Sequence, residues 1–399
     1  MEVTRSERIA WIQLRQTPQL GPVRLLRLIR AFGSAESVLG QPAGQLEQAG
    51  VPRQVARAVA QRATEAARQE AEQEYARAEQ NGIRILLYAE PDYPVNLKSI
   101  YAPPPYLYIR GELKSEDRLG VAIVGSRRAG REGIQMAEQL AAALARRGLT
   151  IVSGFARGVD SAAHRGALEA GGRTLAVLGN GLSRCYPPEN RPLFEKLPEH
   201  GALLSELPYE APPERKNFPS RNRIIAGLCL GVVVVEAPER SGALITARAA
   251  MDQNREVFAV PGRVADGRCS GCHQLIKDGA ALVENEWDVL QALTGEIERL
   301  SEEIGMAALS APPKTGPAET PLRTQALPRQ APSPAKSARP AFSDEEETLW
   351  DVLDTQPVHI DLLCRRSGME ISRVSRVLLG LQLKQLVRQE AGMQFCKTL

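Results

Sequence analysis

From residue 121 to about residue 260 the chain alternates short apolar runs with amphipathic stretches, and most runs end in a glycine-rich turn. The runs are Val121–Val124, Thr150–Ser153, Thr174–Leu178, Ala202–Ser205, Val232–Glu236 and Glu256–Val260. Short runs without polar alternation read as strands buried on both faces. Helical patterns fill the gaps, for example 132–147, 159–170 and 243–253. Strands alternating with helices imply a parallel sheet covered on both sides, joined by right-handed crossovers. The expected fold class is therefore α/β, with an extended Rossmann-like, doubly wound core over residues 83–306.

The flanks read differently. Residues 1–82 are helical in pattern, with Gly21-Pro22 starting one helix and Gly50-Val51-Pro52 leading into a long Arg/Gln/Glu/Ala helix to about residue 80. Two helix–Gly-turn–helix units resemble a SAM-like or helix-hairpin-helix domain, either a phosphate-binding hairpin or a packing module. Ile83–Leu87 reads as a strand, followed by a connector broken by Pro91, Pro94 and Pro103–Pro105. Residues 307–341 hold 8 Pro and 9 Ala and almost no large apolar side chain, so this segment is expected to be a disordered linker. Residues 342–399 open with Ser343-Asp344-Glu345-Glu346, a capping box. Two further helical stretches, about 358–366 and 370–384, and a hairpin pattern around Ala391-Gly392 resemble a winged helix. Its last helix carries Ser372, Arg373, Ser375 and Arg376, yet the segment totals 9 acids against 7 bases. A DNA reader is usually more basic, so partner binding or autoregulation is an equal reading.

Net charge over all 399 residues is only +3, which excludes a uniformly basic nucleic-acid coat. No run of about 18 apolar residues exists, so no membrane span is expected. The first residues lack the apolar segment of a signal peptide. Six cysteines in this length do not make a disulfide scaffold. A cytosolic protein with reduced thiols is expected.

Ligands of doubly wound folds bind beyond the carboxyl ends of the strands. The turns there are Gly125-Ser126-Arg127-Arg128, then Ser153-Gly154-Phe155-Ala156-Arg157-Gly158, Gly179-Asn180-Gly181, a Pro-rich loop ending at Arg223, and Ser241-Gly242-Ala243. Glycine lets backbone amides approach a ligand, and helix N-termini at that edge favour anions. A dinucleotide fingerprint fails, because the first turn is Gly-Ser-Arg and the second strand ends Ser153-Gly154. Gly125 and Gly130 have P-loop spacing, but Arg131-Glu132 replaces Lys-Ser/Thr. Neither NAD nor ATP is expected, and no other cofactor.

Fixed positive charge remains. Arg127, Arg128 and Arg131 lie in an acid-free stretch from 118 to 131, and Arg215, Lys216, Arg221 and Arg223 in another from 215 to 235. Phe218 stands within the second group. Basic side chains that track phosphates, with an aromatic platform for bases, suit single-stranded nucleic acid. Asn222 and Arg223 have an equal structural reading, capping the helix at Ile224 and pairing with Glu206 or Glu236. Cys269-Ser270-Gly271-Cys272-His273 matches a haem-attachment pattern, but without an export signal or a second ligand pair the match reads as accidental, and no metal site is expected. Asp160 and His164 share a helix face, which reads as a capping Asp and a hydrogen-bonded His. No catalytic residue is assigned.

Residues 121–283 resemble the DprA/Smf family of DNA-processing proteins. The motifs are Val121-Ala-Ile-Val-Gly-Ser-Arg127, Ile151-Val-Ser-Gly-Phe-Ala-Arg-Gly-Val-Asp160, Gly171-Gly-Arg-Thr-Leu-Ala-Val-Leu-Gly179, Phe218-Pro-Ser-Arg-Asn-Arg-Ile-Ile-Ala-Gly227, Ser241-Gly-Ala-Leu-Ile-Thr246 and Val257-Phe-Ala-Val-Pro-Gly262. Phe155 and Val159 stand where Leu and Ile are usual in the family. The resemblance implies single-stranded DNA binding, a homodimer formed through the Rossmann-like domain, and loading of the RecA recombinase during natural transformation, without catalysis. It implies a DNA pocket of Gly125, Ser126, Arg127, Phe218, Arg221, Arg223 and one of Arg215 or Lys216. Arg128, Ser153, Gly154 and Asn222 join that set as neighbours in the same turns. The alternative reading is a phosphoribohydrolase-like enzyme acting on nucleotides through His164 and Glu206.

Overall fold

The computed structural model describes residues 3–265, 267–305, 344–354, 358–384, 386–390 and 394–397. These form two compact bodies, one on each side of the undescribed segment 306–343. The expected linker 307–341, the capping residue Ser343 and the turn at Ala391-Gly392 lie outside the described residues.

A nine-stranded sheet is the frame of the first body. Its strands are β1 (Arg84–Leu87), β2 (Tyr106–Gly111), β3 (Gly120–Gly125), β4 (Thr150–Ser153), β5 (Thr174–Val177), β6 (Gly201–Ser205), β7 (Gly231–Val235), β8 (Glu256–Ala259) and β9 (Ala281–Leu282). Their spatial order is β1-β2-β6-β5-β4-β3-β7-β8-β9. The strands from β6 across to β9 pair in parallel, with Val121 beside Ile151 on one side and Gly231 on the other. β1 and β2 close the far edge in antiparallel register. The six central strands thus lie where the apolar runs predict. β2 falls inside the stretch read as a Pro-broken connector, and β9 has too few residues to show a pattern.

Successive side chains of each central strand leave by opposite faces, and both sets are buried. Ala122 and Val124 pack with Val152, Val177 and Val234 under helices Asn217–Leu228 and Ala243–Asp252. Val121 and Ile123 pack with Ile151, Val233 and Val235 under helices Arg131–Arg146, Val159–Glu169 and Glu286–Ile304. Each buried Val or Ile among them contributes roughly 1.5–3 kcal/mol on leaving water, which is why these runs tolerate no polar alternation.

Six helices precede the sheet, from Arg5–Arg15 to Glu65–Gln80. Pro22 occupies the first helical position after Gly21, as the sequence suggests. The expected long helix is two, Arg53–Arg62 and Glu65–Gln80. Thr64 breaks it, because its hydroxyl accepts the Ala67 amide at 3.3 Å and caps a new start. The apolar core of these helices runs on into Tyr106, Tyr108, Leu178 and Leu203 of the sheet body. Glu74 clamps the junction, accepting the Tyr108 hydroxyl at 2.8 Å and the Tyr209 amide at 2.6 Å.

The second body has helices Asp344–Val352, Ile360–Ser367 and Ile371–Leu383 and a three-stranded sheet. That sheet comprises β10 (Val358–His359), β11 (Val387–Glu390) and β12 (Gln394–Lys397), in the order β10-β12-β11. This is a winged helix, whose first strand takes the residues read as the start of a helix. Arg376 is paired with Glu345 at 3.3 Å and Lys384 with Glu346 at 2.7 Å, so acids of its first helix neutralise bases of its third.

Candidate nucleic-acid interface

The chain leaves β3 in one direction through β4, β5 and β6, then returns to place β7 on the other side of β3. β3 and β7 therefore flank the topological switch point, where a crevice opens at the carboxyl ends of the strands. A cleft of about 1020 Å³ lies there, between the β3 turn and the start of helix Asn217–Leu228. Gly125 floors it because nothing larger fits, since an added Cβ would stand 2.6 Å from the Val159 side chain.

The β3 turn is held from within. The Ser126 amide donates to the Glu236 carbonyl at 3.1 Å, and the Arg128 amide to the Ser126 hydroxyl oxygen at 3.1 Å. Glu236 itself follows β7 with φ of 47°, an uncommon value for a residue with a side chain. Its buried carboxylate accepts the Gly130 amide, with N–O distances of 2.8 and 2.9 Å, at the N-terminus of helix Arg131–Arg146. Arg268 lies 3.7 Å away. This clamp leaves Arg127 and Arg128 exposed at the mouth, and neither enters an ion pair among the described residues.

The opposite wall corrects the expectation of a basic loop up to Arg223. Asn217 to Arg223 are the first turns of helix Asn217–Leu228, with Pro219 tolerated there because early amides need no helical acceptor. Helical spacing then sends the bases to different fates. Arg221 is 6% exposed, and its guanidinium donates to the carbonyls of Gly154 and Val177. Burial pushes its pKa down to about 10 against the attraction of Asp160, so it stays cationic at neutral pH. Burial raises the Asp160 carboxyl, with Arg221 opposing. Asn222 donates to the Gly242 carbonyl at 3.4 Å. Arg223 grips both Glu206 oxygens, at 2.7 and 2.8 Å, the first of the two structural pairings the sequence leaves open.

Phe218 stands between the two walls. The Arg127 guanidinium lies over its ring at 5.1 Å and that of Arg221 at 6.0 Å. Gly179 makes room for the ring, since a Cβ there would meet it at 2.7 Å. The fold thus brings Gly125, Ser126, Arg127, Arg128, Arg215, Phe218, Arg221 and Asn222 to one cleft. Gly154 lines a smaller adjoining pocket that shares Arg127, Tyr186 and Phe218 with the cleft. Ser153 is fully buried, donating to the Ile123 carbonyl at 2.6 Å, while Lys216 does not line the cleft and pairs with Glu214 at 2.7 Å. Arg268 and Tyr186 also line the cleft, and the sequence reading missed both. Neither directly follows a strand, so reading the turns at the strand ends passes over both.

His164 is sealed in the core. Its Nδ1 is 2.7 Å from the Thr174 hydroxyl, which donates to the Ile151 carbonyl, so the proton sits on Nδ1. Burial, then Arg221 and Arg165, hold its pKa down at about 3. Asp160 instead accepts the Ala156 amide at 3.2 Å, and the two side chains act separately. Cys272 is buried, its sulfur accepting the Ala237 amide at 3.3 Å, and among the described residues no cluster could hold a metal ion.

Residues 84–294 match the family model described as DNA recombination-mediator protein A. The whole chain is 36% identical to Protein Smf of Synechocystis over 403 aligned positions, covering 98% of this chain and 99% of that protein. The chain belongs to the DNA recombination-mediator protein A family. Residues 329–393 match the DprA winged helix domain. DNA processing protein DprA of Streptococcus pneumoniae is 46% identical over 198 residues, 50% of this chain and 70% of that protein. The X-ray structure of that S. pneumoniae protein superposes with a TM-score of 0.62 at 35% identity, covering 73% of this chain and 98% of that one. The role of this recombination-mediator family is DNA processing, and no helix among the described residues is long and apolar enough to cross a membrane.

Proposed function

We propose that the cleft binds single-stranded DNA, with phosphates on Arg127, Arg128 and Arg215 and a base on Phe218. The supporting observation is the Arg127–Phe218 pair at a switch-point cleft, a cation already seated on an aromatic face. Phosphate contacts supply affinity and stacking supplies the preference for unpaired bases. On this reading the protein is a cytosolic, non-catalytic mediator. It protects incoming strands and loads RecA during natural transformation, as a homodimer through the sheet body. His164 and Glu206, which would carry nucleotide cleavage, are both committed to internal partners.

The test is a titration of labelled single-stranded and duplex oligonucleotides across salt. With three phosphate contacts, log K should fall with log salt at a slope of about −2. Equal affinity for both forms, or a flat salt response, overturns the reading. RecA filament assembly on single strands, with and without the protein, tests the loading step.

A further inference from the structure

Tyr186 is the feature of the cleft that this reading leaves unused. The residue is 37% exposed, although its ring sits beside Phe218 with centroids 6.1 Å apart and planes tilted by 45°. An exposed aromatic on a mobile loop would mean little, but this loop is fixed. Asn180 is 1% exposed, and its side-chain amide donates to the carbonyls of Gly181 and Arg184, both at 2.8 Å. The Gly181 amide reaches the Ala211 carbonyl at 2.9 Å, and the Ser183 amide the Tyr209 carbonyl at 3.0 Å. Tyr186 also lines both the main cleft and the smaller adjoining pocket that holds Gly154. Phe218 therefore has a cation, Arg127, and a second aromatic surface, Tyr186, beside it.

We propose that Tyr186 is a second nucleobase platform, taking the base next to the one on Phe218, so that the site grips two consecutive unpaired bases. The proposal rests on the cleft being a single-strand site. A ring held in place loses little freedom when a base stacks on it, and stacking needs no particular base. Two adjacent platforms also give a reason for rejecting duplex, whose bases are already stacked on one another.

The probe is a fluorescently labelled thymidylate oligomer, with an abasic oligomer of equal length and charge as its control. Tyr186→Ala should weaken thymidylate binding about tenfold, Tyr186→Phe should restore it, and the salt slope should not change. On the abasic oligomer wild type and Tyr186→Ala should bind alike. Wild-type affinity in Tyr186→Ala, or an equal loss on both oligomers, overturns the platform and leaves the cleft reading intact. A wild type that ignores the thymidylate oligomer overturns both.

Discussion

Arg127 and Arg128 stand exposed at the mouth of the cleft, whereas Arg221 is 6% exposed and bonded to two backbone carbonyls, and Arg223 holds Glu206. Along the chain the two groups look alike, each a set of arginines in an acid-free stretch. Folded, the first is available to an external anion and the second holds together three strand ends and a helix. The difference comes from the secondary structure that carries them. A clamped turn projects its side chains outward, while a helix packed on the sheet turns every third or fourth residue inward. Sequence clustering of charge therefore marks the location of a site without separating its binding residues from its supports.

Four measurements test this contrast. Arg221→Met should have the largest effect, since it strips two buried carbonyls and Asp160 of their partner. A loss of about 3–5 kcal/mol in urea unfolding is expected, and a variant as stable as wild type would show that Arg221 is no support. Acid should strike the buried side next. His164 titrates at about 3 folded against 6.5 in its ordinary state. Between those values the unfolded chain binds the extra proton, so its contribution to stability is complete above pH 6.5 and shrinks as pH falls. By pH 5 wild type should lose about 2 kcal/mol more than His164→Gln, a difference that cancels the opposing response of Asp160. Equal losses would remove His164 from the account.

On the exposed side, Arg127→Ala should weaken single-strand binding about tenfold, or about 1.4 kcal/mol, with an unchanged melting temperature. A lowered melting temperature would erase the distinction between the two groups. Arg128→Ala should act least, flattening the salt slope by about 0.7 with a smaller loss of affinity. An unaltered slope would place Arg128 off the phosphate path.

Much of this architecture is written locally. The six central strands are legible because both their faces are buried, so Val and Ile recur without interruption. The edge where the turns meet follows from the alternation of parallel strands and helices, but the switch point depends on a strand order that the runs do not give. The winged helix is legible from helical spacing and a turn. Longer-range facts are not. Nothing near Thr64 says that a helix must restart there, since its cap competes with a favourable run of Ala, Glu and Arg. Phe218-Pro219 suggests a loop until the sheet offers a surface for its helix. Arg221 is pulled inward by carbonyls 67 and 44 residues earlier in the chain, and Tyr186 is placed by a network centred on Asn180. These depend on partners that only the completed fold supplies.

The Glu236 carboxylate has a consequence for how the site works over time. By resting on the Gly130 amide it serves as a resident counter-ion for the end of helix Arg131–Arg146. The turn bearing Arg127 therefore keeps its shape whether or not a strand is present. If the cleft is the single-strand site proposed above, such a turn lets the strand depart without anything in the protein having to rebuild.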